Sequence, residues 1–111
     1  MKKIIFVLIL ALSLPVFAKM TKEKMNWKGF EKGHIELAYP LLTIRGSKGF
    51  LGCGYFNVDA CDKTNEACAI VSGVKTHEDM LDAKIKAVSS LAKELGIEVG
   101  MTGKQALLHL K

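Results

Sequence analysis

The first eighteen residues constrain this chain more than any other stretch, because they decide how much of it is left to fold and where. Lys2 and Lys3 precede an apolar run, Ile4 to Leu14, that only Ser13 interrupts. Pro15 ends the run, and Val16-Phe17-Ala18 supplies small residues at the −3 and −1 positions of a cleavage site. A bilayer needs about 17–25 apolar residues, so the run is short for a span. An uncleaved anchor or a buried core helix would also be apolar, but charge, length, Pro15 and Ala18 together read as a signal peptide cleaved after Ala18. No cysteine stands near the cut, which argues against a lipid-anchored product. The expectation is a periplasmic or secreted protein whose mature chain has no transmembrane span. Removing residues 1–18 from 111 leaves 93, one domain near the lower limit for folding alone.

Charge divides the mature chain. Residues 19–32 carry Lys19, Lys22, Lys24, Lys28 and Lys32 against Glu23 and Glu31, a net of +3. Residues 33–111 hold nine basic and nine acidic side chains, a net of zero. A nucleic-acid binder would carry a basic stripe on the fold itself, so the neutral body excludes that class. The arm at 19–32 either touches an anionic surface, helped by Met20, Met25, Trp27 and Phe30, or is a solvated leader whose aromatics pack on the domain.

From residue 33 onward the pattern is that of alternating elements. Ile35 to Leu37 reads as a short strand closed by Pro40. Leu41 to Arg45 is the next strand, and Gly46-Ser47-Lys48-Gly49 is a turn leading into a second hairpin arm, Phe50 to Phe56. Both arms are apolar on both faces, and such strands want cover on both faces. In so small a chain a second subunit can be one of those covers. Val58 to Thr64 reads as a short helix stopped by a left-handed Asn65. Ala67 to Ser72 is a buried strand.

Thr76 opens the main helix, with Asp79 placed to reach back in a weak capping box. Met80, Leu81, Ala83, Ile85, Ala87, Val88, Leu91, Ala92 and Leu95 give that helix a broad apolar face as far as Gly96, and Asp82 and Lys86 pair at i,i+4. Ile97 to Val99 is a short extended piece. Thr102 and Gln105 form a capping box for the last helix. The fold class is α/β (α+β): a small mixed sheet from an N-terminal hairpin plus a further strand, packed by one long and two short helices.

Three cysteines survive export, so one thiol is left over in an oxidising compartment. Cys61 and Cys68 are the natural pair, since the turn near Asn65 can fold one back on the other; two independent small residues are the alternative. Cys53 lies in Gly52-Cys53-Gly54. It is either a reactive thiol or a buried residue behaving as a small hydrophobe. A nucleophile needs a base or a depressed pKa, and His34, His77 and His109 are not tied to Cys53 by sequence. There is no CxxC and no HxxxH, so no metal ligand set is assigned, and no cofactor. Gly73-Val74-Lys75-Thr76 and Gly100-Met101-Thr102-Gly103-Lys104 resemble anion cradles at helix N-termini, which makes Lys75, Thr76, Thr102 and Lys104 ligand-binding candidates. Gln105 and Glu98 break the Walker pattern, and capping explains both turns.

The blocks Gly49 to Asn57, Ala69 to Thr76, Asp79 to Lys84 and Leu95 to Leu107 together resemble the YunC-like domain of unknown function, over about residues 35–110. The resemblance implies a small bacterial and archaeal α/β domain that forms oligomers, as tetramers, through its N-terminal β region. It implies no established reaction, so no catalytic residue is carried over. Cys53, Gly73 to Thr76 and Met101 to Gly103 match the family pattern without a defined role there. The chain departs from that pattern in its export signal, in Cys61, and in Asn65 where members usually have Gly.

Three functional readings follow. The first is an exported, self-associating, non-catalytic domain that binds a small molecule or a protein. The second is a thiol-dependent enzyme or redox protein using Cys53. The third is an exported metal-binding protein using cysteine and histidine.

Overall fold

The computed structural model describes residues 25–111. Residues 1–18, read above as a signal peptide, and the first part of the basic arm lie outside the described residues. Five strands and four helices follow in the order β1 (Glu31–Ile35), β2 (Leu41–Arg45), β3 (Phe50–Gly52), α1 (Val58–Thr64), β4 (Cys68–Ile70), α2 (His77–Asp82), β5 (Ala87–Val88), α3 (Ser90–Glu94) and α4 (Gly103–Leu110). The strands form one sheet in chain order. Only β3 and β4 run parallel, because α1 carries the chain back between them, so the sheet is mixed. The domain is α+β. Its first strand takes in Glu31 and Lys32, the last two residues of the arm, and Met25, Trp27 and Phe30 pack against the core.

The register sorts the side chains onto two faces. Leu42, Ile44, Leu51 and Ala69 stand together on one face and are buried beneath Met80 of α2, Ala92 of α3, and Ala106, Leu107 and Leu110 of α4. On the other face, Phe50, Cys68, Ile70 and Ala87 form a smaller cluster under α1 with Cys61, Phe56 and Val58. That second cluster takes nothing from β1 or β2.

Local signals set most of the boundaries. The turn between β2 and β3 closes with the Gly46 N–H donating to the Gly49 carbonyl at 2.8 Å. Asn65 ends α1 in the left-handed region, φ 60° and ψ 45°, and the Glu66 N–H donates to the Cys61 carbonyl at 2.8 Å. β3 is shorter than the expected Phe50–Phe56 strand. A Cβ on Gly52 would stand 2.7 Å from the Phe56 ring, so the glycine lets that ring fold back over the strand, and the chain turns at Gly54 and Tyr55. The first strand lies earlier than Ile35–Leu37, with residues 36–40 forming the connection.

The one long helix expected from Thr76 to Gly96 is three elements. Helix α2 stops at Asp82, where Ala83 is extended (φ −74°, ψ 150°). Lys84 bridges to Thr102, the Ile85 N–H donates to the Met101 carbonyl at 2.7 Å, and the Lys86 N–H donates to the Ile70 carbonyl at 2.8 Å. Ala87 and Val88 then pair with Ile70 and Ala69 as β5. The cause is the sheet: β4 has β3 on one side, and its buried backbone needs a partner on the other. Ala83-Lys84-Ile85-Lys86-Ala87 alternates apolar and charged residues, which suits a strand. The Asp82–Lys86 helical pair is lost, because Lys86 is no longer on a helix.

The Ile97–Val99 segment is not a strand. Gly96, at φ 102°, begins a turn in which its own N–H donates to the Lys93 carbonyl and the Ile97 N–H to the Ala92 carbonyl. This Schellman pattern finishes α3 and buries Ile97 beside Ala92.

Candidate functional site

Cys53 follows directly on β3, opposite Leu42 of β2. Its N–H donates to the Leu42 carbonyl at 3.2 Å, continuing the ladder for one more residue. The return bond is unusual: the Leu42 N–H donates to the Cys53 sulfur at 3.3 Å, while the Cys53 carbonyl accepts from the Phe56 N–H. Cys53 is 3% exposed, so the thiol is a buried acceptor that satisfies a strand amide. Removing it orphans that amide. Cys53→Ala is expected to destabilise the domain by about 1–3 kcal/mol, with Cys53→Ser recovering part of the loss. Equilibrium denaturation of the three proteins checks this, and an alanine variant as stable as the parent would contradict it.

Cys53 also lines a pocket of about 200 Å³ whose other walls are Tyr39, Pro40, Gly54, Tyr55, Gly73 and Val74. Three connections supply these residues: the β1–β2 connection, the turn after β3 and the loop before α2. The Tyr55 hydroxyl donates to the Tyr39 carbonyl at 2.9 Å and ties two of them together. Gly73 has φ 72°, a region that favours glycine, and a Cβ there would meet nothing within 4 Å. The Lys75 ammonium stands 5.8 Å from the Tyr39 ring centroid, within reach of the ring's negative face.

None of the three histidines lines this pocket. His34 faces Glu36 at 3.2 Å, and the His77 Nε2 is 2.9 Å from the Gly33 carbonyl oxygen. His109 packs against Gly96. The arrangement therefore offers a thiol and an apolar wall, with no imidazole beside the sulfur to take its proton. Among the described residues no three His, Cys, Asp or Glu side chains gather into a metal-binding group. No helix among them is long and apolar enough to cross a membrane.

The Cys61 and Cys68 sulfurs stand at disulfide-bonding distance, with Cα atoms 6.4 Å apart, where α1 meets β4. Both anion-cradle turns are spent on capping. The Thr76 hydroxyl accepts from the Asp79 N–H at 3.0 Å, and Asp79 Oδ2 accepts from the Lys75 N–H at 3.1 Å, one residue beyond the cap itself. Thr102 and Gln105 complete a reciprocal capping box. Lys75 and Lys104 are exposed, and of the four candidates Lys75 is the one beside the pocket.

Sequence reasoning singled out Cys53 and Lys75 but missed Tyr39, Tyr55 and Val74, which only the fold brings together. It also missed Ser89, which is fully buried. The Ser89 hydroxyl donates to the Glu66 carbonyl at 2.8 Å and accepts from the Cys68 N–H at 2.9 Å and the Ala92 N–H at 3.3 Å.

Comparison with known proteins gives the same picture at the level of the whole domain. Residues 52–110 match the family model described as "Domain of unknown function (DUF1805)". The uncharacterized protein YunC of Bacillus subtilis (strain 168) is 33% identical over 73 residues, covering 62% of this chain and 72% of that protein. The crystal structure of a protein of unknown function from Thermoplasma acidophilum superimposes with a TM-score of 0.64 at 30% identity, covering 80% of this chain and all of that one. The chain thus belongs to the DUF1805 family of YunC-like domains of unknown function.

Proposed function

We propose that the mature chain is an exported, self-associating binding module whose contact surface is the β1–β2 hairpin. The observation that carries this reading is the exposure of that hairpin. Residues 34–39 are all exposed, and Ile35, Leu37, Tyr39 and Tyr55 are 44–56% exposed. Exposed apolar patches of this kind mark interaction sites on soluble proteins. The sheet adds to it: α1 covers the far end of one face, while at the near end Ile35 is exposed beside its half-buried cross-strand partner Leu41, which packs against the main core. Edge strand β1 is exposed on both faces except at Gly33. Export is supported by the leader pattern, and the disulfide distance between Cys61 and Cys68 suits an oxidising compartment, where such a bond would persist.

Light scattering of the mature chain, from Lys19 onward, at micromolar concentration is expected to give two or more copies per particle. Ile35→Lys is expected to shift the population to monomer while leaving the circular dichroism unchanged. A parent protein that is monomeric under these conditions would count against self-association.

The position of Cys53 on a pocket wall favours one second reading, a thiol-dependent activity. Titration with a thiol reagent in native and denatured protein separates the two. A Cys53 that reacts only after denaturation removes the thiol reading.

A further inference from the structure

We propose that the Cys53 pocket binds a small monocyclic aromatic carboxylate, with its ring against the tyrosine walls and its carboxylate held by Lys75 and the Val74 N–H. The site belongs to a single chain and stands whether or not the chain self-associates.

Size and lining set the apolar half of the ligand. The cavity measures about 200 Å³. A dry cavity of about 150 Å³ takes a benzene ring, so this one has room for a ring and a short arm. It falls below the range of about 300–1,000 Å³ that larger ligands fill. Tyr39, Tyr55, Pro40 and Val74 give it flat or apolar walls, and the Cys53 sulfur is already engaged by the Leu42 N–H. The bond from the Tyr55 hydroxyl to the Tyr39 carbonyl joins the two rings' residues into one rim, and each is about half exposed, so a solute reaches the opening.

The polar groups are few and all donors, which selects an anion. Among the described residues the Val74 N–H donates to no acceptor, although Val74 is only 5% exposed. A buried amide of this kind calls for a partner. The N–H groups of Gly54 and Gly73, on the same walls, likewise donate to nothing among the described residues. The cap of α2 uses the N–H groups of Lys75 and Asp79 and leaves those of Gly73 and Val74 unspent. A Cβ on Gly73 would meet nothing within 4 Å, so the backbone there lies open. Lys75 follows at once, its ammonium 5.8 Å from the Tyr39 ring centroid and with no described carboxylate within 4.0 Å. Unpaired backbone donors and an unpaired cation beside an apolar cavity suit a carboxylate on an aromatic body.

The test is titration of the isotope-labelled mature protein with phenylacetate, followed by amide NMR, with benzyl alcohol as the uncharged probe. Phenylacetate is expected to bind with a Kd of about 0.1–1 mM and to shift the Gly54, Tyr55, Gly73 and Val74 amides in one saturable process. Benzyl alcohol is expected to bind about tenfold or more weakly. Lys75→Ala is expected to weaken phenylacetate about tenfold and to leave benzyl alcohol within about twofold of the parent. Tyr55→Ala is expected to weaken both probes. Lys104→Ala, at an exposed lysine that does not line the pocket, is expected to change neither. Lys75 and Tyr55 are exposed, and unshifted amides in α4 verify that each variant is folded. No saturable shift at the four amides overturns the site, and so does binding that Tyr55→Ala leaves unchanged. A Lys75→Ala variant that holds phenylacetate like the parent overturns the carboxylate assignment. Light scattering on the same samples reads assembly separately: a monomeric parent that binds phenylacetate removes the self-association reading and leaves this one.

Discussion

With Cys61 and Cys68 oxidised to a disulfide, reducing it, or replacing both cysteines by alanine, is expected to lower the stability of the domain by about 2–3 kcal/mol, the chain-entropy effect of a short closed loop. For a domain of this size that corresponds to a fall in Tm of about 10–20 °C. The fold concentrates the effect on α1. This seven-residue helix is held to the sheet by a small cluster of Cys61, Cys68 and Ile70, flanked by Phe50, Phe56, Val58 and Ala87. Isolated helices this short do not persist in water, so the bond and the cluster together keep α1 in place. Thermal denaturation with and without a reductant measures it. An unchanged Tm on full reduction, verified by mass, would mean that the cluster alone holds the helix.

The second large effect is expected at Ser89. One hydroxyl joins three elements: it caps α3 through the Ala92 N–H, takes the Cys68 N–H at the start of β4, and gives its proton to the Glu66 carbonyl. The residue is 0% exposed, so water cannot replace these bonds. Ser89→Ala loses a helix cap, about 1 kcal/mol, and leaves buried groups unpaired, each about 1–3 kcal/mol before relaxation. A destabilisation of about 2–4 kcal/mol is the expected result. The neighbouring Ser90 is exposed, and Ser90→Ala is expected to stay within about 0.5 kcal/mol of the parent. Urea denaturation of the pair checks this, and equal effects at the two positions would contradict the assigned role of Ser89.

Ser89 also shows where the sequence could and could not be read. Elements whose ends are written in short-range chemistry were legible: the Gly46–Gly49 turn, Val58–Thr64 with its Asn65 stop, the Thr76 cap and the Thr102–Gln105 box. Each depends on residues within four positions of one another. The stretch from Ala83 to Ser89 was not legible in the same way, because two periodicities overlap in it. Met80, Ala83, Ala87 and Leu91 recur at helical spacing, while Ala83, Ile85 and Ala87 recur every second residue. Local propensity does not choose between them. The choice is made by β4, whose free edge accepts β5. Ser89 then becomes a cap in place of the solvent-facing mid-helix residue that the 3.6-residue period implies.

The candidate site divides along the same line. The proximity of Cys61 to Cys68 is suggested by their short spacing and the turn near Asn65 between them, and the close approach at Gly52 by the glycine inside a strand. The pocket does not, since Tyr39, Tyr55 and Val74 come from three connections that meet only once the sheet is built. The sulfur's role as acceptor for the Leu42 N–H is equally invisible beforehand, because it depends on the register of β2 against β3.

The central claim, an exported and disulfide-bonded domain that associates through its hairpin, is tested most directly by native mass spectrometry of the protein recovered from the cells that make it. The expected subunit begins at Lys19, has a mass two hydrogens below that of the fully reduced 93-residue chain, and appears as a complex of two or more copies. A reduced, monomeric chain that keeps residues 1–18 would contradict the account on all three counts.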